Sequence, residues 1–147
     1  MHKRSPWCRV STPSSSFDSS VMSVADLPKS EYVMYIFVNS DLKMTAGKLA
    51  SQIGHIVHVI VDECVRDSYE TFPPSAKSLS YQTWNTCCTK IILKASTEQL
   101  LELLKRGDAR AFYDSGRTTQ GTSDALTVVG LLPCKPQDTL MEQYKLV

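Results

Sequence analysis

An unbroken apolar run, Tyr32 to Val38, constrains this chain more than any other feature. A strand with one wet face alternates apolar and polar residues, so a run without alternation reads as a strand covered on both faces. It leads into the polar turn Asn39-Ser40-Asp41, after which Thr45 is placed to cap a helix. In that helix Leu49, Ile53, Ile56, Val57, Ile60 and Val61 recur at three- and four-residue steps, which directs one side of it onto the sheet.

The start of such a helix exposes unpaired backbone N–H groups and a partial positive charge, which favour a phosphate, a carboxylate or a developing oxyanion. Lys48 adds a full charge there, and Lys48, Gln52 and His55 follow an i, i+4, i+7 spacing that makes one polar stripe. Taken alone, a first-turn lysine is more often a solvated charge, and a single histidine more often structural.

The chain's 147 residues suit one domain, and 42% hydrophobic content suffices to cover a sheet with helices. A net charge of +1 excludes polyanion binding by bulk charge, so any RNA contact must come from a local basic patch. Five cysteines, including the adjacent Cys87-Cys88, lack the spacing of a disulfide framework or a zinc site and are expected to be reduced and intracellular. No apolar run approaches the ~18 residues of a membrane helix, and the first residues lack the apolar core of a secretory signal.

Residues 1–28 are Ser-rich, with Lys3, Arg4 and Arg9 preceding the first acid, Asp18, and are expected to form a disordered tail before a domain spanning 29–147. The tail faintly resembles a mitochondrial transit peptide, although Pro6 and Pro13 break an amphipathic helix; a cytoplasmic location is expected, a mitochondrial one is the alternative, and Met22 is a second possible start. Asp67 to Ser80 reads as a surface connection with Pro73-Pro74 closing the first helix, and Tyr81 to Trp84 as a helical turn. Thr89 to Ala95 reads as a second strand. Ser96 with Gln99 forms a capping-box pattern before a helix that buries Leu100, Leu101, Leu103 and Leu104 and ends with a left-handed Gly107. Strands at Ala111–Tyr113 and Leu126–Leu132 and a short helix at Pro136–Gln143 complete the order. The expected fold is α/β, a three-layer α/β/α sandwich around a small mixed four-stranded sheet. Both polar segments, 39–48 and 114–122, then emerge at the carboxyl ends of strands, where ligands collect.

The second segment holds Asp114, Arg117, Thr118, Thr119 and Thr122 among Gly116 and Gly121, which permits a tight turn and close ligand approach, although Asp-Ser-Gly alone is an ordinary turn. In order, the chain carries Asp41-Leu42-Lys43-Met44-x-x-Gly47-Lys48-x-Ala50-x-Gln52-x-x-His55, Trp84 before a buried strand, Asp114-x-Gly116-Arg117-Thr118, and Thr127-Val128-Val129-Gly130. Over residues 32–147 this set resembles the type 2 peptidyl-tRNA hydrolase family. The resemblance implies an α/β/α sandwich, often a homodimer, that cleaves the ester between a peptide and the terminal ribose of tRNA without a metal or organic cofactor. It implies catalytic roles for Lys48, Asp114 and Thr118, and places Gln52, His55, Arg117 and Thr127 in the same cleft. Lys43, Lys48 and Arg117 are candidates for contacts to phosphates of the tRNA acceptor end, while Lys90 reads better as a surface charge.

These residue types suit ester hydrolysis, which needs a positioned water, a group to take its proton and stabilisation of a tetrahedral oxyanion. Asp114 is the candidate base and Thr118 the candidate holder of water or carbonyl. For Lys48 three roles stay open: acting on Asp114 through its charge, stabilising the oxyanion, or binding a phosphate. Where the family carries Gly-Lys-Gly-Lys, this chain has Thr45-Ala46-Gly47-Lys48, the stretch Lys105–Tyr113 is short, and Leu131-Leu132-Pro133-Cys134 replaces a Gly- and Pro-rich turn. The expected function is therefore peptidyl-tRNA hydrolysis that recycles tRNA. The alternative is a family member that has lost turnover and serves as a tRNA-binding or protein-interaction module. A generic nucleotide-binding protein is weaker still, since neither G-x-G-x-x-G nor a P-loop is present.

Overall fold

The computed structural model describes residues 31–114 and 124–147. The expected N-terminal tail, together with Arg117 and Thr118, lies outside the described residues.

The apolar run forms β1 (Met34–Asn39), buried along its whole length. It sits between β4 (Ala125–Leu131) and β2 (Lys90–Ala95), and the sheet continues to β3 (Ala109–Asp114) on one side and β5 (Lys145–Leu146) on the other. β1 pairs parallel with β2 and antiparallel with β4, β3 pairs antiparallel with β4, and β5 pairs antiparallel with β2. β1, β2 and β3 therefore point the same way, and their carboxyl ends share one edge of the molecule. The fifth strand is the difference from the expected four. It comprises Lys145–Leu146 and pairs only two positions of β2, too short a segment for any periodicity to mark it.

Side-chain alternation along β1 assigns the two faces. Met34, Ile36 and Val38 pack with Ile56, Ile60 and Cys64 of α1 (Ala46–Glu70) and with Trp84 of α2 (Ala76–Trp84). Tyr35 and Phe37 pack with Leu100 and Leu103 of α3 (Thr97–Leu103), Leu140 of α4 (Asp138–Gln143) and Tyr144. The three layers are thus α1/α2, sheet, and α3/α4. Where α1 crosses β4 the backbones come close: a Cβ added to Gly130 would lie 2.6 Å from Ile60 Cδ1 and 2.9 Å from Ile56 Cγ1. A larger residue there must push aside the Ile60 and Ile56 side chains.

Local rules set the helix starts. Thr45 Oγ1 accepts the Lys48 N–H at 3.3 Å, and Ser96 and Gln99 form the reciprocal capping box. Two boundaries differ from expectation. The segment read as a connection from Asp67 to Ser80 is mostly helical, because Ser75 caps α2 and the Asp67 carboxylate accepts from the hydroxyls of Ser75 and Ser78. α3 stops at Leu103, with Leu104 right-handed at its cap, and Gly107 is not left-handed.

Candidate active site

The carboxyl end of β1 is fixed by a buried amide. Asn39, 3% exposed, donates from Nδ2 to the Leu126 carbonyl at 2.8 Å and to Thr97 Oγ1 at 3.0 Å, while its Oδ1 accepts the Asp41 N–H at 2.9 Å. Asp41 in turn accepts the Thr97 N–H at 2.8 Å, and that backbone bond holds its carboxyl below the usual aspartate range. Ser40 binds the Ala95 carbonyl through both its N–H and its hydroxyl. β1, β2, β4 and the start of α3 are thereby tied together, and the turn that launches α1 leaves from a rigid base.

α1 and β3 then run side by side in opposite directions, and alternate residues of β3 meet every second turn of the helix. Lys48 Nζ donates to Asp114 Oδ2, with the two side chains 26% and 17% exposed. One turn on, Gln52 is 4% exposed and its Oε1 accepts the Thr127 hydroxyl at 2.6 Å. His55 follows, its ring stacked on Phe112 with centroids 4.6 Å apart and planes at 14°, and Ser51 Oγ lies 3.4 Å from its Nε2. Further down, Arg110 donates from Nη2 and Nε to the two carboxylate oxygens of Glu63, and Lys77 adds a bond to the same group at 2.8 Å. These bonds, those from Arg110 first, pull the Glu63 pKa down to about 2.

Thr127 reaches Gln52 because of a break in register. Phe112 pairs with Val128 but Tyr113 pairs with Leu126, so Thr127 is an extra residue on β4. The bulge turns its side chain to the α1 face beside Val128, where its hydroxyl also lies 3.2 Å from the Phe112 carbonyl.

Of the residues singled out from sequence, the fold brings together Lys48, Gln52, His55, Asp114 and Thr127 along one helix–strand seam. Lys43 is exposed in the turn before α1 and enters none of these contacts. Arg117 and Thr118 belong to the segment outside the described residues, whose flanks are joined by the Asp124 N–H to the Asp114 carbonyl at 2.8 Å. Lys90 sits at the opposite end of the sheet, its ammonium 5.1 Å from the Trp84 ring centroid. The family's glycine position before the helix is occupied by Thr45 without strain, at φ −64° and ψ 159°, and its hydroxyl supplies a cap that glycine lacks. Sequence reasoning missed Asn39 and Phe112. A lone amide closing an apolar strand was a readable signal for the first, whereas the ring contact of Phe112 depends on a helix distant in sequence.

A sandwiched mixed sheet whose strand ends meet a cationic helix tip and a carboxylate defines an α/β domain equipped for acid–base chemistry on an anionic substrate. Comparison with known proteins narrows the class. The family model described as Peptidyl-tRNA hydrolase PTH2 matches residues 32–146. The chain is 33% identical over 123 residues to the probable peptidyl-tRNA hydrolase 2 of Schizosaccharomyces pombe, an overlap of 79% of this chain and 55% of that protein. It is 31% identical over 113 residues to the peptidyl-tRNA hydrolase of Staphylothermus marinus, covering 73% of this chain and 86% of that one. The chain thus spans about half the length of the first relative and most of the second. It belongs to the PTH2 peptidyl-tRNA hydrolase family.

Proposed function

We propose that this chain hydrolyses the ester joining a peptide to the terminal ribose of tRNA, with the catalytic unit in residues 29–147. Family membership supports the reaction, and the Lys48–Asp114 ion pair is the observation that carries its mechanism. Asp114 orients the attacking water and takes its proton as oxygen bonds to the ester carbon; the ribose oxygen leaves with a proton. Lys48, in the first turn at the positive end of α1, stabilises the oxyanion of the tetrahedral intermediate when substrate draws it from Asp114. Thr118 holds the water or the carbonyl. Gln52 and Thr127 hold the seam in register behind them, and Lys43 and Arg117 meet phosphates of the acceptor end. The enzyme works in the cytoplasm, as a monomer or homodimer. No described helix is long and apolar enough to cross a membrane.

The test is release of a labelled, N-blocked amino acid from its tRNA by purified protein. Asp114→Ala and Lys48→Ala are expected to slow release roughly 10²-fold or more while leaving the fold intact. Binding of the tRNA without release by the wild type would remove the enzymatic assignment.

A further inference from the structure

On the reading that the substrate is a peptidyl-tRNA, one exposed feature of the seam remains without a task. His55 is exposed, yet its ring lies flat on Phe112, 4.6 Å between centroids and 14° between planes. A polar ring presented to solvent on an aromatic support is the arrangement that proteins use to stack an unpaired nucleobase, since every base offers a π-face. We infer that the His55–Phe112 pair is the platform on which the terminal adenine of the tRNA acceptor end stacks.

The position suits the chemistry. Phe112 and Asp114 project from the same face of β3, and alternate residues of a strand stand about 6.6 Å apart. On α1, Lys48 lies two turns before His55 on the same side, so a base seated on His55 lies along the same seam as the Lys48–Asp114 pair. Ser51 Oγ lies 3.4 Å from the ring nitrogen. Stacking reads no sequence, which fits a nucleotide common to all tRNAs. His55 is thus a substrate-binding residue that fixes where the ester lies.

The probe is an acceptor-stem RNA minihelix whose terminal adenine is replaced by 2-aminopurine, a base whose fluorescence falls on stacking. Binding is followed separately by anisotropy of a label at the other end. Saturation of the wild type should quench the 2-aminopurine. His55→Ala should abolish the quenching and weaken binding roughly 10-fold, and His55→Phe should restore both. In the ester assay His55→Ala should raise KM with kcat little changed, as expected for a contact made equally in ground and transition states. Unaltered fluorescence of RNA that anisotropy shows to be bound would overturn the platform, as would a failure to bind the minihelix, or equal quenching by His55→Ala and wild type. Ester cleavage with no quenching would reject the platform and keep the hydrolase; quenching with no cleavage would do the reverse.

Discussion

Two ion pairs clamp α1 to β3, one at each end of the seam, and they differ in every respect that matters for function. At the distal end both carboxylate oxygens of Glu63 accept from one guanidinium, and one of them accepts a further bond from Lys77. At the proximal end the Lys48 ammonium donates to Asp114 beside the helix start and the strand ends. The bidentate arginine pair is geometrically fixed, whereas an ammonium on a flexible stem exchanges partners readily. One seam therefore holds a staple and a reactive pair, and what separates them is the type of donor, a planar guanidinium at one end and a flexible ammonium at the other.

Substitutions that swap the consequences of the two ends would break this contrast. Removing either proximal charge should cost roughly 10² in hydrolysis, while stability changes by no more than about 1 kcal/mol, as for partly exposed pairs generally. At the distal end the pattern should invert. Arg110→Ala leaves Glu63 with Lys77 alone and should destabilise the domain by about 1–2 kcal/mol, read from denaturant unfolding, with kcat kept within about threefold. A comparable loss of activity in Arg110→Ala at full folding would show that the ends are not distinct.

Acid sharpens the contrast further. Glu63 has a folded pKa of about 2 against an ordinary value of 4.5. Its depressed value means that it contributes stability in full above pH 4.5, and that this contribution is lost as pH falls from 4.5 toward about 2. The stability advantage of wild type over Arg110→Ala should therefore shrink across that window, followed by circular dichroism at fixed denaturant. A constant advantage would place the source of stability elsewhere. The smallest effect should come from Lys43→Ala: a few-fold rise in KM at low salt, with the slope of log affinity against log salt reduced by about one.

Much of this layout is legible in the sequence. The unbroken strand, the helix with its Thr45 cap and the Ser96–Gln99 box obey local rules, so residues 32–66 and 90–103 need no tertiary information to be assigned. The meeting of Lys48 with Asp114 follows once three parallel strands share an edge. What escaped are features made by distant partners. The first half of α2, Ala76–Ser80, reads as a loop because its cap is completed by Asp67, the bulge at Thr127 exists only through the pairing of β4 with β3, and the stack of His55 on Phe112 needs the seam to form. The departure from the family pattern at Thr45 is an unstrained cap.

The most direct measurement is the single-turnover rate of ester cleavage by Asp114→Asn, which keeps the shape of the side chain and removes its charge and basicity. The expected result is a folded protein that retains tRNA affinity and cleaves roughly 10²-fold more slowly. Cleavage within about threefold of wild type would contradict catalysis by the Lys48–Asp114 pair.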